Sequence, residues 1–257
     1  MTEPIAVGII GAAGRMGRMV AEALASDPAF RVSALFDPRG GEIAGISEIA
    51  TALPSLLSSP ATHIVDFSTG AAVDQNGEQV LLEGKRYLVG ATGYARETPE
   101  RLAKAAEQAS TSCLIVPNFS LGANLMMAFA RQAGKYMKHA EIIEAHHPDK
   151  LDAPSGTALA TAKLIGGKGG AESPPLSEKL TGARGGDANG IRIHSLRLHG
   201  VLAEQTVIFG GEEETLRIEH RSIDRRCFLP GVKLALAHLA DFTGLRIGLD
   251  KIMEMVA

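Results

Sequence analysis

The stretch from Ile5 to Asp37 constrains the fold more than any other. Ile5-Ala6-Val7-Gly8-Ile9-Ile10 is an unbroken apolar run, the pattern of a strand buried on both faces of a parallel sheet. Gly11-Ala12-Ala13-Gly14-Arg15-Met16-Gly17 follows at once. A helix reads from about Arg15 through Leu24, a second strand from Arg31 to Phe36, and Asp37 ends that strand. Strand, glycine turn, helix, strand and acid, in that order, is the context a dinucleotide-binding fingerprint requires. Glycines admit a pyrophosphate close to the backbone, the helix start attracts its charge, and an acid about twenty positions on meets the ribose. The spacing is G-x-x-G-x-x-G rather than the commoner G-x-G-x-x-G, so the turn alone fits tight helix packing equally well. The flanking strands favour nucleotide binding.

The same alternation continues. Strands are expected at His63–Phe67, Tyr87–Val89 and Cys113–Val116, and helices at Ala71–Glu83 and Pro99–Ser110. Ligands of open parallel sheets sit outside the carboxyl ends of the strands. Asp66-Phe67-Ser68, Gly90-Ala91-Thr92-Gly93 and Asn118-Phe119-Ser120 occupy such ends. Taken singly, each is as readily a turn as a site. A long helix, Leu121 to Met137, leads into the second half of the chain.

That half is organised around Glu144 to Thr157, E-A-H-H-P-D-K-L-D-A-P-S-G-T, between the apolar run Ala140–Ile143 and a helical segment, Ala158–Ile165. Ser155 can cap the helix, Gly156 lets a ligand approach the backbone, and free N–H groups at a helix start attract a carboxylate. His146 and His147 titrate near neutral pH, and Lys150 adds a cation. The residue types alone also fit hydrogen-bonded structure, a surface lysine and an ordinary cap. No metal site is expected: adjacent strand residues point to opposite faces, and no cysteine or third histidine stands at ligand spacing. Beyond lie a Gly- and Pro-rich segment, 166–190, expected to be a surface loop. Three strands, Ile191–Leu198, Gln205–Phe209 and Thr215–His220, form an open mixed sheet, and a helix, Gly231–Phe242, follows.

Composition narrows the class. A net charge of −3 over 257 residues gives no reason to expect a nucleic-acid or membrane partner. Two distant cysteines, Cys113 and Cys227, make no disulfide framework, which fits a cytoplasmic protein. The start, Met1-Thr2-Glu3-Pro4, lacks the features of a signal peptide, and no apolar run is long enough for a membrane span.

The string E-A-H-H-x-x-K-x-D-A-P-S-G-T-A, complete from Glu144 to Ala158, resembles the signature of the dihydrodipicolinate (4-hydroxy-tetrahydrodipicolinate) reductases. The turn G-x-x-G-R-M-G and the D-F-S, G-A-T-G and N-F-S segments resemble the same family, with Ala91 in place of a threonine. The resemblance implies that His146 is the general acid and that His147, Lys150, Ser155, Gly156 and Thr157 hold the two carboxylates of the substrate. Gly11, Gly14, Arg15, Met16, Gly17, Asp37, Arg39, Phe67, Ser68, Gly90, Thr92, Asn118 and Phe119 would line the cofactor, NADH or NADPH. Asp37 favours NADH and Arg39 can grip the extra phosphate of NADPH, so both cofactors are expected to work, with NADH modestly preferred.

The implied architecture is α/β: a Rossmann-like nucleotide domain, 1–118 with 227–257, and a second α+β domain, 119–226, carrying the open mixed sheet. The site would lie between domains, and the family assembles as homotetramers. Leu198-His199 and Gln205 depart from the family pattern, which has glycines and a histidine there. The implied activity is NAD(P)H-dependent reduction of a cyclic imine dicarboxylate in lysine and diaminopimelate synthesis. Alternatives are another Rossmann oxidoreductase, of the homoserine or aspartate dehydrogenase type, and a nucleotide-sensing protein without catalysis.

Overall fold

The structure, a computed structural model, describes residues 3–137, 139–166 and 177–256. It begins β1 (Ile5–Ile10), α1 (Arg15–Ala25) and β2 (Phe30–Phe36). A two-stranded hairpin, β3 (Glu42–Ile43) and β4 (Ser47–Glu48), and a short helix, α2 (Leu53–Leu57), then intervene. The alternation resumes with β5 (His63–Asp66), α3 (Gly70–Leu82), β6 (Arg86–Val89), α4 (Thr98–Gln108) and β7 (Ser112–Ile115). The next segment is α5 (Leu121–Ala133), β8 (His139–His146), α6 (Gly156–Ile165), β9 (Gly186–Ala188), β10 (Ile191–Arg197), β11 (Ala203–Gly210) and β12 (Thr215–Ser222). A 3-10 turn at Arg225–Phe228 leads to α7 (Leu229–His238), β13 (Gly244–Ile247) and α8 (Asp250–Val256).

These elements form two compact units, Met1–Phe119 with Phe228–Ala257, and Ser120–Cys227. The first carries a six-stranded sheet in the order β13-β7-β6-β5-β1-β2, all neighbours parallel. Parallel neighbours need crossover helices, which cover the faces, so these strands are nearly wholly apolar. Ile9, Ile10, Ile64, Leu88, Leu114 and Tyr87 are buried accordingly.

The second unit carries a five-stranded mixed sheet, β12-β11-β8-β10-β9, in which only β8 and β10 run parallel. Its strands alternate. Ile142, Ile193, Val207 and Phe209 pack with Met126 and Ala130 of α5 and Ala158 and Ala162 of α6. Ile143 and Leu196, one register step away, face outward and are partly exposed.

Several expected bounds are corrected. The long helix stops at Ala133 rather than Met137, where Gly134 follows. The last long helix spans Leu229–His238, shorter than Gly231–Phe242. The segment expected to be a loop, 166–190, contains β9, which pairs antiparallel with β10; residues 167–176 of it lie outside the described residues. The small elements β3, β4, α2, β13 and α8 carry too few residues for a periodic signal. Among the described residues, no helix is long and apolar enough to cross a membrane.

Candidate active site

In the first unit, the expected cofactor residues gather at the carboxyl ends of the strands. Gly11 has a positive φ of 78°, and a Cβ there would lie 2.7 Å from the Phe67 carbonyl carbon and the Ser68 nitrogen. A Cβ on Gly17 would stand 2.2 Å from the Gly11 carbonyl oxygen. Glycine is therefore required for β1 and α1 to meet this closely. The helix α1 starts at Gly14 without a side-chain cap, which leaves first-turn N–H groups for an anion. Arg15 is exposed and Met16 half-buried beside that start.

Gly90 closes the far side. A Cβ on it would come within 2.4 Å of the Phe67 ring and 2.9 Å of the Phe119 ring. Those rings lie 5.5 Å apart, tilted by 58°. Below them Asp66 is fully buried, accepting hydrogen bonds from the Ser68 hydroxyl and N–H and from the Tyr87 hydroxyl at 2.6 Å. This fixes the loop that carries Phe67 and Ser68. Burial pushes the Asp66 carboxyl up despite those bonds. Thr92 and Asn118 are placed on the same strand-end loops, Thr92 exposed and Asn118 half-buried.

Asp37 and Arg39 grip each other. Arg39 Nε and Nη2 donate to the two Asp37 oxygens at 2.9 and 2.8 Å, and the Arg39 and Ala13 backbone N–H groups bond the same carboxylate. The bond from Arg39, with the backbone bonds, holds the Asp37 carboxyl below its usual range in spite of burial. Sequence reading treated the two side chains as independent and opposed; the structure makes them one ion pair.

In the second unit, β8 runs through His146 and stops. Strand alternation puts Glu144 and His146 on one face, with Ile142, over the helices. Glu144 is fully buried. Its Oε2 lies 2.6 Å from His146 Nδ1, and Arg197 of β10 donates to both its oxygens at 3.1–3.2 Å. Burial raises the Glu144 carboxyl, but bonds from Ser195, His146 and Arg197 and the Arg197 charge outweigh it and hold it below the usual range. For His146, burial together with the Lys150 and Arg197 charges lowers the pKa by more than Glu144 raises it.

His147 lies beyond the strand end, with Nδ1 3.9 Å from the exposed Asp149 carboxylate. Lys150 Nζ pairs with Asp152 at 2.8 Å. Arg197 also donates to the carbonyls of Lys150 and Asp152, tying this loop to β10. Ser155 caps α6, its hydroxyl accepting from the Ala158 N–H at 3.2 Å. Gly156 is exposed, with nothing within 4 Å of where a Cβ would stand, and Thr157 is half-buried on the same first turn. Gln205, a departure from the family pattern, is buried and donates to Thr161 at 2.8 Å, and Thr161 donates to the Thr157 carbonyl. It ties β11 to the first turns of α6. Leu198 extends the β8–β10 pairing through a bond from its N–H to the His146 carbonyl.

Sequence reading gave Glu144 and Arg197 no role. The available signal was the i, i+2 spacing of Glu144 and His146 on a strand; the partner at Arg197, 53 positions away, carries no local signal. Among the described residues, no group of three or more His, Cys, Asp or Glu side chains could hold a metal ion.

A parallel sheet with a glycine turn in the first unit, and a histidine on a buried carboxylate in the second, fit a nicotinamide-dependent oxidoreductase. Residues 5–119 match the family described as dihydrodipicolinate reductase, N-terminus, and residues 122–253 its C-terminus. The chain belongs to the dihydrodipicolinate reductase family. It is 43% identical to the 4-hydroxy-tetrahydrodipicolinate reductase of Nostoc punctiforme over 97% of this chain and 98% of that one. It is 42% identical to that of Geobacillus kaustophilus over 97% and 99%. A dipicolinate-bound dihydrodipicolinate reductase from Paenisporosarcina sp. TG-14 superimposes with a TM-score of 0.88 at 32% identity, covering 97% of this chain and 99% of that one.

Proposed function

We propose that this protein is a cytoplasmic reductase that converts 4-hydroxy-tetrahydrodipicolinate to tetrahydrodipicolinate, using NADH or NADPH, in lysine and diaminopimelate synthesis. The observation that carries the reading is His146 seated on the buried Glu144, with Lys150 near enough to act on its charge, in a chain of this family. The dipicolinate held by the structural relative supports a flat dicarboxylate as the substrate class.

When bound, the reduced nicotinamide supplies the hydride. The first unit fits such a group because glycines bring β1, β5 and α1 together where any Cβ would clash. The α1 start takes the pyrophosphate, with Arg15 and Met16 beside it, Asp37 and Arg39 meet the ribose, and Phe67, Ser68, Gly90, Thr92, Asn118 and Phe119 border the nicotinamide end. Lys150, His147 and the Ser155-Gly156-Thr157 turn hold the two carboxylates by charge and by N–H donation.

The bond from carbon four to its hydroxyl breaks, and water leaves with a hydrogen from carbon five, the neighbour that lies between carbon four and the imine. Hydride arrives at carbon four, and electron density moves to carbon five, where His146 delivers a proton from Nε2. Substrate, NAD(P)H and one proton become tetrahydrodipicolinate, NAD(P)+ and water. Lys150 serves as a cation and forms no covalent bond with the substrate.

The outward apolar residues Ile143 and Leu196 of the second sheet support pairing of copies through this face, and we expect a homotetramer. The test of function is oxidation of NADH or NADPH on adding freshly generated product of dihydrodipicolinate synthase. Substrate-dependent oxidation supports the assignment, and its absence with both cofactors contradicts it.

A further inference from the structure

The sheet of the second unit carries two clusters of the same residue types, on opposite faces. On the helix-covered face, Glu144 lies between His146 and Arg197. On the other, Glu141 lies between His194, at 2.7 Å, and Arg184. Register separates them: Glu144 stands opposite Ser195 and His146 opposite Arg197, whereas His194 stands opposite Ile143. Glu141 is 36% exposed and Glu144 is 0% exposed. Removing a carboxylate from water is costly unless bonds and a cation compensate. Glu144 has both, from groups that converge on its two oxygens.

Among the described residues, the groups facing His146 are few. Glu144 comes from its own strand, Ser195 and Arg197 from β10, and Lys150 from the loop that follows. On β11 the residue in register is Ala203, which carries no charge, and its neighbour Glu204 is paired with Arg221.

We propose that Glu144 and Arg197 are the positioning residues of the proton donor. Glu144 fixes the His146 ring so that Nε2 is the delivering nitrogen, and Arg197 holds Glu144 in place while pinning the chain at Lys150 and Asp152. The inference rests on the reading of His146 as the donor. An ionised carboxylate only accepts, so the proton between Nδ1 and Oε2 belongs to Nδ1. Nε2 is then the nitrogen that gains and loses the second proton. The two arginine bonds to the carbonyls of Lys150 and Asp152 give one side chain control over both the donor and a carboxylate-binding lysine.

The test uses the full chain. The pH profile of kcat/KM, the affinity for pyridine-2,6-dicarboxylate, and the nitrogen NMR spectrum of the His146 ring are recorded for the wild type and four variants. Glu144→Gln removes the anion that stabilises the imidazolium, so its alkaline limb moves to lower pH and kcat falls about tenfold or more. Arg197→Met removes a cation facing the ring, so its limb moves to higher pH, and dicarboxylate affinity falls with it. Glu144→Asp keeps the charge further off and gives a smaller displacement than Glu144→Gln. Glu141→Gln leaves the limb where it is.

Limbs that stay put in Glu144→Gln, or that move the same way in Glu144→Gln and Arg197→Met, overturn the proposal. If Glu144→Gln does not fold, Glu144→Asp and the wild-type spectrum still decide: a neutral ring protonated on Nε2 overturns it, and one protonated on Nδ1 sustains it. The NMR readout needs no turnover. Wild-type activity in His146→Gln would sink the donor assignment and the proposal with it, whereas an Nε2-protonated wild-type ring with a dead His146→Gln would sink the positioning by Glu144 alone.

Discussion

Asp37 and Glu144 are both buried carboxylates gripped by an arginine, but the grips differ in kind. Arg39 stands two residues from Asp37, and its side chain is 68% exposed. Arg197 reaches Glu144 from a neighbouring strand, 53 positions away, and is 20% exposed. Asp66 makes the third case: it is buried with hydroxyl and N–H donors and no arginine. The carboxyls of Asp37 and Glu144 are held low and that of Asp66 is pushed up. Burial alone favours the neutral acid; a converging cation reverses the sign. The difference between the two arginine pairs is one of commitment. A pair closed by a solvated side chain is inexpensive to reopen for a ligand, whereas a buried one loses heavily if either partner goes.

Breaking the second grip at its reacting end gives the largest effect. His146→Gln is expected to lower turnover about a hundredfold or more while leaving cofactor affinity unchanged. Steady-state kinetics with a separate binding titration of the cofactor checks both halves of this. Opening the first grip costs much less. If Asp37 meets the ribose as proposed, Asp37→Ala removes the acceptor for its hydroxyls and a charge that disfavours a 2′-phosphate. It should erase the modest NADH preference we expect of the unmodified protein, a change on the order of 1 kcal/mol, or about fivefold in the ratio of specificity constants. Arg39→Ala should weaken NADPH more than NADH. A strong NADPH preference in the unmodified protein would mean that Arg39, not Asp37, governs the ribose end.

The same contrast explains what could be read from the sequence. The parallel sheet was legible because its strands are buried on both faces and their apolar runs need no partner to be recognised. The glycine turn was legible because Gly17 meets Gly11 within one local motif, although Gly11 is also held by its approach to Phe67 and Ser68. Ser155 read correctly as a helix cap, as its hydroxyl bonds three residues on. The Asp37–Arg39 pairing was within reach, since the two residues are nearly adjacent, but a string of letters does not show whether two side chains oppose or bind each other. Glu144–Arg197 was out of reach, because the pairing exists only once β8 and β10 lie side by side. The extra strand β9 was hidden for the same reason: three residues, Gly186–Ala188, become a strand through their partner.

The claim at the centre is that His146 gives the proton, and its pH dependence tests that most directly. A general acid works only while protonated, so kcat/KM must fall as pH rises through the His146 pKa, with the free enzyme's value read from that limb. Burial, Lys150 and Arg197 together outweigh Glu144 and place that value below the ordinary 6.5. The wild type should therefore show an alkaline limb below 6.5, and His146→Gln should keep its residual activity without that limb. A limb that persists unchanged in His146→Gln would contradict the account.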